Sequence, residues 1–372
     1  MNNAILGKPK VVVAMSGGVD SSLAAYLLKG TGYDLFGITM KLWDYKDVGG
    51  DLYRDGRCCS LEAMNDARQI CSQIDVPHYV WDLTSEFQEK VIQNFIDEYQ
   101  RGKTPNPCIV CNTEIKWKVL WDKAAKLGAD FIATGHYARI KYDENKKRYL
   151  LLQGKDQVKD QSYALWGLSQ ENLSRTIFPL GDLTKKETRQ LSQEFGLKTA
   201  FKNESQEICF VPDDDYARFI RERVEGQGAR VKEGPILSLK GERMGTHPGI
   251  YFYTIGQRRG LNIALGEPMY VVKIDPDKNA VYVGENNDLF QSCFVVSDVN
   301  WISIAELEEE MECDIKIRSL HQPTRGRISK LTKEKILVKF EKPERAITPG
   351  QSAVFYQGEK VIGGGIIDSV ED

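Results

Sequence analysis

The amino-acid sequence predicts an α/β protein: a Rossmann-like domain with a parallel sheet, then a small central domain and a C-terminal β-barrel. The first observation is a strand, a glycine turn and a helix start in VVVAMSGGVDSS, Val11 to Ser22. The second is that strand-like runs alternate with amphipathic helical patterns over about the first 200 residues, as a parallel sheet requires. The third is a series of short alternating strands from about Phe290 onward, which indicates a small barrel. We place the domains at residues 1–212, 213–284 and 285–372.

Composition restricts the class of protein. The chain has 372 residues, of which 41% are hydrophobic and 28% charged, so two or three domains can each bury a core. No apolar run approaches the roughly 20 residues that cross a bilayer, and MNNAILGKPK has no signal-like h-region, so we expect a cytoplasmic protein. Eight cysteines then indicate catalysis, metal binding or burial. A net charge of −3 excludes a uniformly basic nucleic-acid binder but allows a local basic face.

The stretch around Gly17 and Gly18 predicts an anion site. Three valines form a buried strand, and Asp20 to Ser22 stand where a helix N-cap is expected. Glycine lets phosphate oxygens approach backbone N–H groups, the helix dipole favours negative charge, and the serine hydroxyls add donors. The Walker lysine is absent, so the pattern is SGGxDS. The alternative is a glycine turn that merely joins the strand to the helix.

Further elements follow the alternation up to about residue 200. The segment RGKTPNPCIVCN contains two prolines, which we expect to exclude regular structure, and Asn112 is expected to cap the next helix. The strands are YDLFGITM ending at Met40, His78–Leu83, ADFIATGHYA with a glycine turn, and a hairpin over Arg139–Gln153. The helices are Ser60–Gln73, Glu86–Tyr99, Asn112–Leu127, Gln161–Leu168 and Thr184–Phe195.

The pattern changes from about Asp213. One helix, Asp213–Val224, is followed by glycine-rich short strands through Val283, in which we include GIYFYTIGQRRGL. The short strands of the predicted barrel then run to Asp372. No long repeat or low-complexity tract interrupts this order.

Two cysteine motifs stand out, NPCIVCN and SQEICF. Cys108 and Cys111 have CxxC spacing, which alone fits redox chemistry, a metal site or coincidence. No second CxxC or HxxxH supplies the further ligands of a zinc site, but Cys108, Cys111 and Cys209 could hold an iron–sulfur cluster with a fourth ligand from substrate or solvent. Because Cys111 directly precedes a predicted helix N-terminus, we expect a lowered thiol pKa there.

The remaining cysteines are less specific. Cys71, Cys293 and Cys313 fall in apolar positions of predicted helices or strands, where we expect burial. The pair Cys58–Cys59 precedes a predicted helix and is either reactive or structural.

Seven motifs together carry a resemblance: SGGVDSS, NPCIVCN, ATGHYAR, VKDQSYAL, SQEICF, TIGQRRGL and TPGQSAVFY. In this order and spacing, from about residue 10 to about residue 366, the chain resembles the tRNA-specific 2-thiouridylases. SGGxDS alone is shared with asparagine synthetase, argininosuccinate synthase, GMP synthetase and tRNA-lysidine synthetase. The combination with PNPCxxCN and a later ICF cysteine is far more specific.

The resemblance implies an ATP pyrophosphatase domain, a central domain and a tRNA-contacting barrel. Such enzymes use ATP and Mg²⁺ to adenylate the 2-oxygen of the wobble uridine in a tRNA anticodon, and then replace it with sulfur. Cys209 would carry the sulfur as a persulfide received from a donor protein, a cysteine desulfurase or relay carrier. Cys111 would be the partner nucleophile, and a mobile loop over residues 200–212 would bring the two together.

The resemblance also assigns binding residues, with no protein metal ligand among them. ATP contacts are implied at Ala14, Met15, Ser16, Gly17, Gly18, Val19, Asp20, Ser21, Met40 and Gly135. Contacts to the target base or the tRNA are implied at Asn106, Pro107, Cys108, His136, Lys159, Asp160, Gln161, Arg318, Ser319 and Gln351.

The chain departs from relatives at two of these positions. Many members have aspartate where Cys108 stands, so a carboxylate is not available there for proton transfer. Ser319 replaces an aromatic residue that often stacks on RNA. From Glu312 to Gly350, ten Lys or Arg residues stand against five Asp or Glu, which predicts a basic face on the barrel.

Two other functions use the same features. An ATP pyrophosphatase that delivers nitrogen would use SGGVDSS but would need neither Cys111 nor Cys209. A non-catalytic RNA-binding or redox protein could retain a relict nucleotide site, although the intact Asp20 and Ser21 count against that.

Overall fold

A computed structural model describes residues 8–44, 61–203, 208–211, 213, 215–226, 232–263 and 267–371. The chain divides into two compact units. Unit 1 contains residues 1–90, 108–214 and 359–361; unit 2 contains residues 91–107, 215–358 and 362–372. The pair Cys58–Cys59 lies outside the described residues.

The strands alternate with helices along the first part of the chain, as the sequence predicts. The helices are α1 Val19–Lys29, α2 Leu61–Gln73, α3 Thr84–Phe87, α4 Gln93–Gln100, α5 Pro107–Val110, α6 Trp121–Lys126, α7 Gln170–Ser174, α8 Lys185–Glu194 and α9 Tyr216–Gly226. The strands up to residue 177 are β1 Lys10–Ala14, β2 Asp34–Lys41, β3 His78–Asp82, β4 Phe131–Ala133, β5 Ala138–Asp143, β6 Arg148–Gln153 and β7 Thr176–Ile177.

Unit 1 is built on a parallel sheet with the strand order β3-β2-β1-β4-β7. Strand β1 is central, which explains its run of three valines: Val11, Val12 and Val13 are all fully buried. Helix α1 packs on α8, and Tyr26 stacks on Phe195 with ring centroids 4.2 Å apart. The parallel-sheet prediction is confirmed.

The hairpin predicted over residues 139–153 is also confirmed, as β5 and β6. Strand β6 pairs with the start of the last strand through Leu152 and Lys360, and the Arg139 guanidinium donates to Glu359 at 2.8 Å. The hairpin is therefore tied to the C-terminal part of the chain rather than projecting alone.

The expectation that prolines keep residues 101–112 irregular is confirmed for residues 101–106, which form no helix or strand, and is wrong from Pro107 onward. Pro107 begins α5, because the first position of a helix has no need of the N–H that proline lacks. The helix continues through a π-helical segment, Cys111–Leu120, into α6. Asn112 is therefore inside a helix and caps nothing; its side-chain amide donates to the carbonyl of Ala164 at 2.9 Å.

Other helix boundaries differ in detail. The predicted helix over Glu86–Tyr99 is α3, a π-helical turn over Gln88–Ile92, and α4. The stretches predicted as helices at Gln161–Leu168 and Thr184–Phe195 appear as a 3₁₀ turn, Ser162–Leu165, and as α8.

Unit 2 contains a four-stranded sheet of order β10-β11-β8-β9 and a six-stranded barrel, in which β12 pairs with both β15 and β17 and so closes the ring. The strands are β8 Gly234–Ser238, β9 Arg243–His247, β10 Tyr270–Asp275, β11 Ala280–Gly284, β12 Phe290–Trp301, β13 Met311–Lys316, β14 Thr324–Lys330, β15 Ile336–Arg345, β16 Ser352–Gln357 and β17 Lys360–Glu371. The predicted barrel is confirmed. GIYFYTIGQRRGL is not a strand; it holds a 3₁₀ turn, Ile250–Phe252, and a loop.

Residues 91–107 are part of unit 2 although they precede it in sequence. Tyr99 stacks on Tyr216 with centroids 5.4 Å apart, and Phe95 packs edge-on against Phe219 at 6.4 Å. Aromatic contacts of this kind fix α4 on α9. Within the part of the chain that the structure describes, no helix is both long and apolar enough to cross a membrane.

Candidate active site

The loop after β1 is shaped by two glycines. Gly17 has φ +69°, and a Cβ there would lie 2.1 Å from the carbonyl oxygen of Ala63, so only glycine fits. A Cβ on Gly18 would meet only the Ser16 hydroxyl, at 3.5 Å. The backbone at Gly18 therefore faces open space that a phosphate could occupy.

Helix α1 begins earlier than the sequence suggests. Its N-cap is Gly18, and the hydroxyls of Ser21 and Ser22 donate to the Gly18 carbonyl at 3.2 and 2.8 Å. The prediction that Asp20 to Ser22 form the cap is wrong, because glycine already adopts the extended cap conformation. The first intrahelical bond starts at the N–H of Ser22, so the N–H groups before it have no intrahelical acceptor and suit an anion.

The residues that flank the loop are held by hydrogen bonds to β2 and α1. Ala14 and Met15 are buried, and the N–H of Met15 donates to the Ile38 carbonyl at 2.8 Å. The N–H of Ser16 donates to the Ser21 hydroxyl at 3.2 Å. Met40 is half-buried near the end of β2. Ala14 and Met15 could thus reach a ligand only with backbone atoms.

Asp20 is the centre of a polar cluster that sequence reasoning missed. The Lys185 ammonium donates to both carboxylate oxygens, at 2.7 and 2.8 Å, and is 9% exposed. The Tyr137 hydroxyl donates to Asp20 at 2.8 Å and lies 3.0 Å from the Thr188 hydroxyl. Asp20 is itself half-buried, with a side chain that is 31% exposed, so the cluster fixes the carboxylate beside the open loop while leaving part of it accessible.

The loop after β4 closes against the loop after β1. A Cβ on Gly135 would lie 2.7 Å from the carbonyl carbon of Asp20 and 2.8 Å from the N–H nitrogen of Ser21. Strand β1 has β2 on one side and β4 on the other, so the direction in which successive strands are added to the sheet reverses here. Crevices at such switch points, at the carboxyl ends of strands, are where open α/β sheets bind ligands.

Replacing Gly135 with alanine should therefore displace the loop. The added methyl meets backbone atoms, so we expect a loss of about 1–3 kcal/mol in the free energy of unfolding and weaker nucleotide binding. Urea unfolding and nucleotide titration measure both. Gly226→Ala is the control, because a Cβ there meets nothing within 4 Å. Equal stability of the two variants would refute the close approach.

His136 is half-buried, and its ring is held by neighbouring side chains. Its Nδ1 lies 2.6 Å from the Thr134 hydroxyl, and its ring packs on Trp117 and Phe178 at 5.7 and 5.9 Å. Burial, and secondarily the Lys116 charge, hold the pKa of His136 well below its usual value. A neutral imidazole gives no cation for an RNA phosphate.

This lowered pKa predicts a pH dependence of stability. The unfolded chain takes up a proton on His136 near pH 6.5 whereas the folded chain does not, so the free energy of unfolding should fall as the pH drops below about 6.5. We expect His136→Gln to show a smaller decrease than the original chain between pH 7.5 and 5.5, measured by urea unfolding. The other histidines also have lowered pKa values, so the difference between the two chains is the readout.

In the VKDQ segment, Asp160 and Gln161 form hydrogen bonds to other parts of unit 1. Gln161 accepts from the N–H of Tyr137 at 2.9 Å and its own N–H donates to the Tyr137 carbonyl. Asp160 is 8% exposed and accepts from the Gly154 N–H and the Ser162 hydroxyl at 3.0 and 2.9 Å. Lys159, Asp160 and Gln161 are the residues of this segment implied to touch tRNA. Of these, Gln161 orients Tyr137, and Asp160 holds the chain at the end of β6.

The cysteines occupy different surroundings. Cys108 is exposed, while Cys111 and Cys209 are half-buried. Cys111 opens the π-helical segment four residues after Pro107, so the expectation that it directly precedes a helix N-terminus is wrong. Burial raises the pKa of the Cys71 thiol to about 12.

The burial predictions for Cys313 and Cys293 have different outcomes. Cys313 is buried as expected, and burial raises the pKa of its thiol to about 12. Cys293 is only half-buried, so the expectation of a buried position is wrong there.

Cys209 is anchored by the residue that follows it. Phe210 is fully buried and packs edge-on against Phe87 of α3, with centroids 5.7 Å apart. Helix α3 in turn packs on the π-helical segment that Cys111 opens, and Glu86 pairs with Lys123 at 3.0 Å. The segments that carry the two cysteines therefore both pack against α3 in unit 1.

Within the described ranges, no group of three or more His, Cys, Asp or Glu side chains is arranged to hold a metal ion. The three cysteines considered for an iron–sulfur cluster do not form such a group. This donor set does not fit a cluster.

In unit 2, Gln351 supports the loop that leads to Asn106. Its side-chain amide donates to the carbonyls of Thr104 and Pro105, at 2.9 and 3.3 Å. The N–H of Thr104 donates to the Pro349 carbonyl at 2.8 Å. Gln351 thus positions this loop, which is a different role from a direct tRNA contact.

Part of the basic charge of the barrel is paired with carboxylates. Arg325 and Arg327 pair with Glu312 at 3.3 and 3.1 Å, and Lys335 pairs with Asp368 at 2.7 Å. Arg318 instead donates to the carbonyl of Arg345, and Ser319 is exposed. The charge count of residues 312–350 therefore overstates the free basic surface.

The fold and loop define a Rossmann-like α/β protein with a non-Walker anion site and two following β-rich domains. Three family profiles match: "tRNA methyl transferase HUP domain" over residues 9–213, "tRNA methyl transferase PRC-barrel domain" over 219–285 and "Aminomethyltransferase beta-barrel domain" over 291–367. The tRNA-specific 2-thiouridylase MnmA of Salinibacter ruber is 49% identical over 98% of this chain and 95% of its own. The protein of the same name from Clostridioides difficile is 48% identical over 96% of this chain and 98% of its own. The chain belongs to the tRNA-specific 2-thiouridylase family, as the sequence motifs indicated.

Proposed function

We propose that this protein is a tRNA-uridine 2-sulfurtransferase. It uses ATP to adenylate the 2-oxygen of the wobble uridine, position 34 of certain tRNAs, and replaces that oxygen with sulfur. The observation that carries the proposal is the open glycine loop beside Asp20 in a member of this family, whose chain also has two cysteines on segments that both pack against α3. The domain boundaries 1–212, 213–284 and 285–372 and a cytoplasmic location remain part of the proposal.

ATP fits the loop after β1. The space over Gly18, the N–H groups ahead of Ser22 and the Lys185 ammonium all favour a polyphosphate. We assign residues Ala14 to Ser21, together with Met40 and Gly135, to this ATP site. Magnesium in such sites is held mainly by phosphate oxygens and one or two carboxylates, and Asp20 is the carboxylate present.

The cysteines supply the sulfur chemistry. A donor protein places a sulfur atom on Cys209 as a persulfide. The Cys111 thiolate attacks the inner sulfur of Cys209, which forms a disulfide and expels hydrosulfide. Hydrosulfide adds at C2 of the adenylated uracil, and AMP leaves with the former 2-oxygen. A thiol reductant then supplies two electrons to restore both cysteines.

The tRNA enters this scheme through the anticodon loop. The wobble base must leave its stack to expose C2, as base-modifying enzymes require. We assign Asn106, Pro107 and Cys108 to the target base, because they lie on the chain just before Cys111. His136, Lys159 to Gln161, Arg318, Ser319 and Gln351 stay as proposed tRNA-side residues, with the positioning roles described above.

The test is sulfur incorporation into an unmodified tRNA transcript that carries uridine at the wobble position. The assay contains ATP, Mg²⁺ and a persulfide donor, and nucleosides are identified by mass spectrometry. We expect 2-thiouridine together with pyrophosphate and AMP. Pyrophosphate release with tRNA but without thiolated nucleoside would overturn the substrate assignment and favour a nitrogen-delivering ligase. Absence of any ATP turnover with tRNA would favour a non-catalytic protein.

A further inference from the structure

Four arginines of unit 2 lie along three neighbouring loops and strand ends. We propose that Arg258, Arg259, Arg318 and Arg345, called here the arginine strip, bind backbone phosphates of the RNA substrate. The inference rests on the proposed function for the identity of the RNA. It adds to Arg318, already proposed as a tRNA contact, a phosphate-binding site that runs from the loop of Arg258 and Arg259 to the barrel.

The loop that carries Arg258 and Arg259 is rigidly built. The Gln257 side chain accepts from the N–H of Thr254 at 3.0 Å and donates to the Arg259 carbonyl at 3.0 Å. The Val271 N–H donates to the Gln257 carbonyl at 2.9 Å. Both arginines remain exposed on this braced loop. A preformed loop loses less entropy when it binds a ligand.

The strip continues from this loop to the barrel. A Cβ on Gly256 would lie 3.0 Å from the Ala346 Cβ and 3.6 Å from the Arg345 Nη1. The Arg345 guanidinium lies over the Tyr270 ring, 5.2 Å from its centroid, and donates to the Asn286 side chain. Arg318 donates to the Arg345 carbonyl at 2.9 Å. Residues far apart in sequence thus form one strip.

The arginines of the strip keep their positive charge, unlike Arg325 and Arg327 of the basic stretch. Among the residues described, none of the four arginines forms an ion pair with a carboxylate. Glu267 lines the same cleft as Arg258 without pairing with it. Arg325 and Arg327, on the same barrel, are each neutralised by glutamates. Guanidinium groups without a carboxylate partner retain the fork of donors that matches a phosphate.

The strip also begins beside the loop assigned to the target base. The Thr104 hydroxyl donates to the Thr254 hydroxyl at 3.3 Å, and the Thr104 carbonyl accepts from Gln351. Asn106 follows two residues later. An RNA whose base is contacted at Asn106 would therefore present its neighbouring phosphates to Arg258 and Arg259. The occupant is the RNA backbone, because nothing in a phosphate contact requires a particular base.

The experiment compares tRNA binding by the full-length protein and two double variants. Arg258→Gln with Arg259→Gln removes half of the strip; Arg325→Gln with Arg327→Gln is the matched control on ion-paired arginines. The dissociation constant for the unmodified tRNA transcript is measured over a range of salt concentrations. We expect the strip variant to bind about tenfold more weakly or worse, with a salt slope smaller by about 1–2. The control should match the original protein, and thermal unfolding should show all three folded.

The outcomes separate this inference from the proposed function. If the strip variant binds with the original affinity and salt slope while the original protein thiolates tRNA, the strip is refuted and the function stands. Equal weakening in both double variants would also refute it, since any loss of charge would then suffice. If the original protein binds tRNA but makes no 2-thiouridine, the function fails while the strip is still judged by its binding. Absence of tRNA binding would overturn both.

Discussion

Replacing Cys209 with serine is expected to lower 2-thiouridine formation by about three orders of magnitude or more, because a hydroxyl cannot carry a persulfide. ATP-dependent pyrophosphate release in the presence of tRNA should remain, since the glycine loop and Asp20 are untouched. Phe210 should still anchor the segment on Phe87, so the variant should fold normally. Mass spectrometry of nucleosides and a pyrophosphate assay, run in parallel, measure the two steps.

Cys111→Ser should give the same separation of the two steps, because it removes the partner nucleophile. Cys293→Ser is the matched control: this thiol is also half-buried but stands on barrel strand β12. Full thiolation by either Cys209→Ser or Cys111→Ser would eliminate the two-cysteine mechanism. Equal loss in the Cys293 variant would point to a general effect on folding instead.

Lys185→Ala should lower the rate of ATP-dependent pyrophosphate release by about 100-fold, a typical effect of removing one preorganised charge from a reacting phosphate. The substitution also leaves Asp20 without its 2.7 Å cation, so a negative carboxylate would face the incoming phosphates. Initial rates at varied ATP concentration show whether kcat, KM or both change. Lys185→Arg should recover part of the activity, because it restores the charge.

Lys186→Ala provides the control for this experiment. Lys186 is the exposed neighbour of Lys185 on α8, and none of the described ion pairs involves it. We expect unchanged rates there. Similar rates for Lys185→Ala and the original protein would show that the ammonium only supports the fold, which the thermal unfolding midpoint would then report.

The sequence predicts local structure well where one strong signal decides it. Three valines followed by two glycines predict β1, the turn and α1, because burial on both faces of a parallel strand leaves little choice. The N-cap was misplaced, since Gly18 and the serines after it can all cap a helix. Proline ends a helix when it stands inside one, but it is also a good first helical residue. Only the turns that follow Pro107 decide between these two structures.

The active-site cluster was harder to predict because its parts are far apart in sequence. Asp20 and Lys185 are separated by 165 residues, so their ion pair depends on how α1 and α8 pack. Thr184 and Glu187 form a capping box that places Lys185 at the start of α8. Nothing in the local sequence, however, predicts that Lys185 pairs with Asp20. The basic stretch shows the same limit: Arg327 counts as a free charge until β13 brings Glu312 alongside it.

The π-helical segment that Cys111 opens is ten residues long and lies between two α-helical stretches. A π-turn holds more residues than an α-turn, so such a segment carries a surplus of chain over a regular helix. We expect that deletion of one residue from this segment would convert it to ordinary α-helical geometry, in which each residue turns by about 100°. The Cys111 thiol would then point in a different direction relative to the buried Trp117 side chain, even if no other side chain changed. Chain length in this helix, as much as residue identity, therefore sets the direction of the proposed nucleophile.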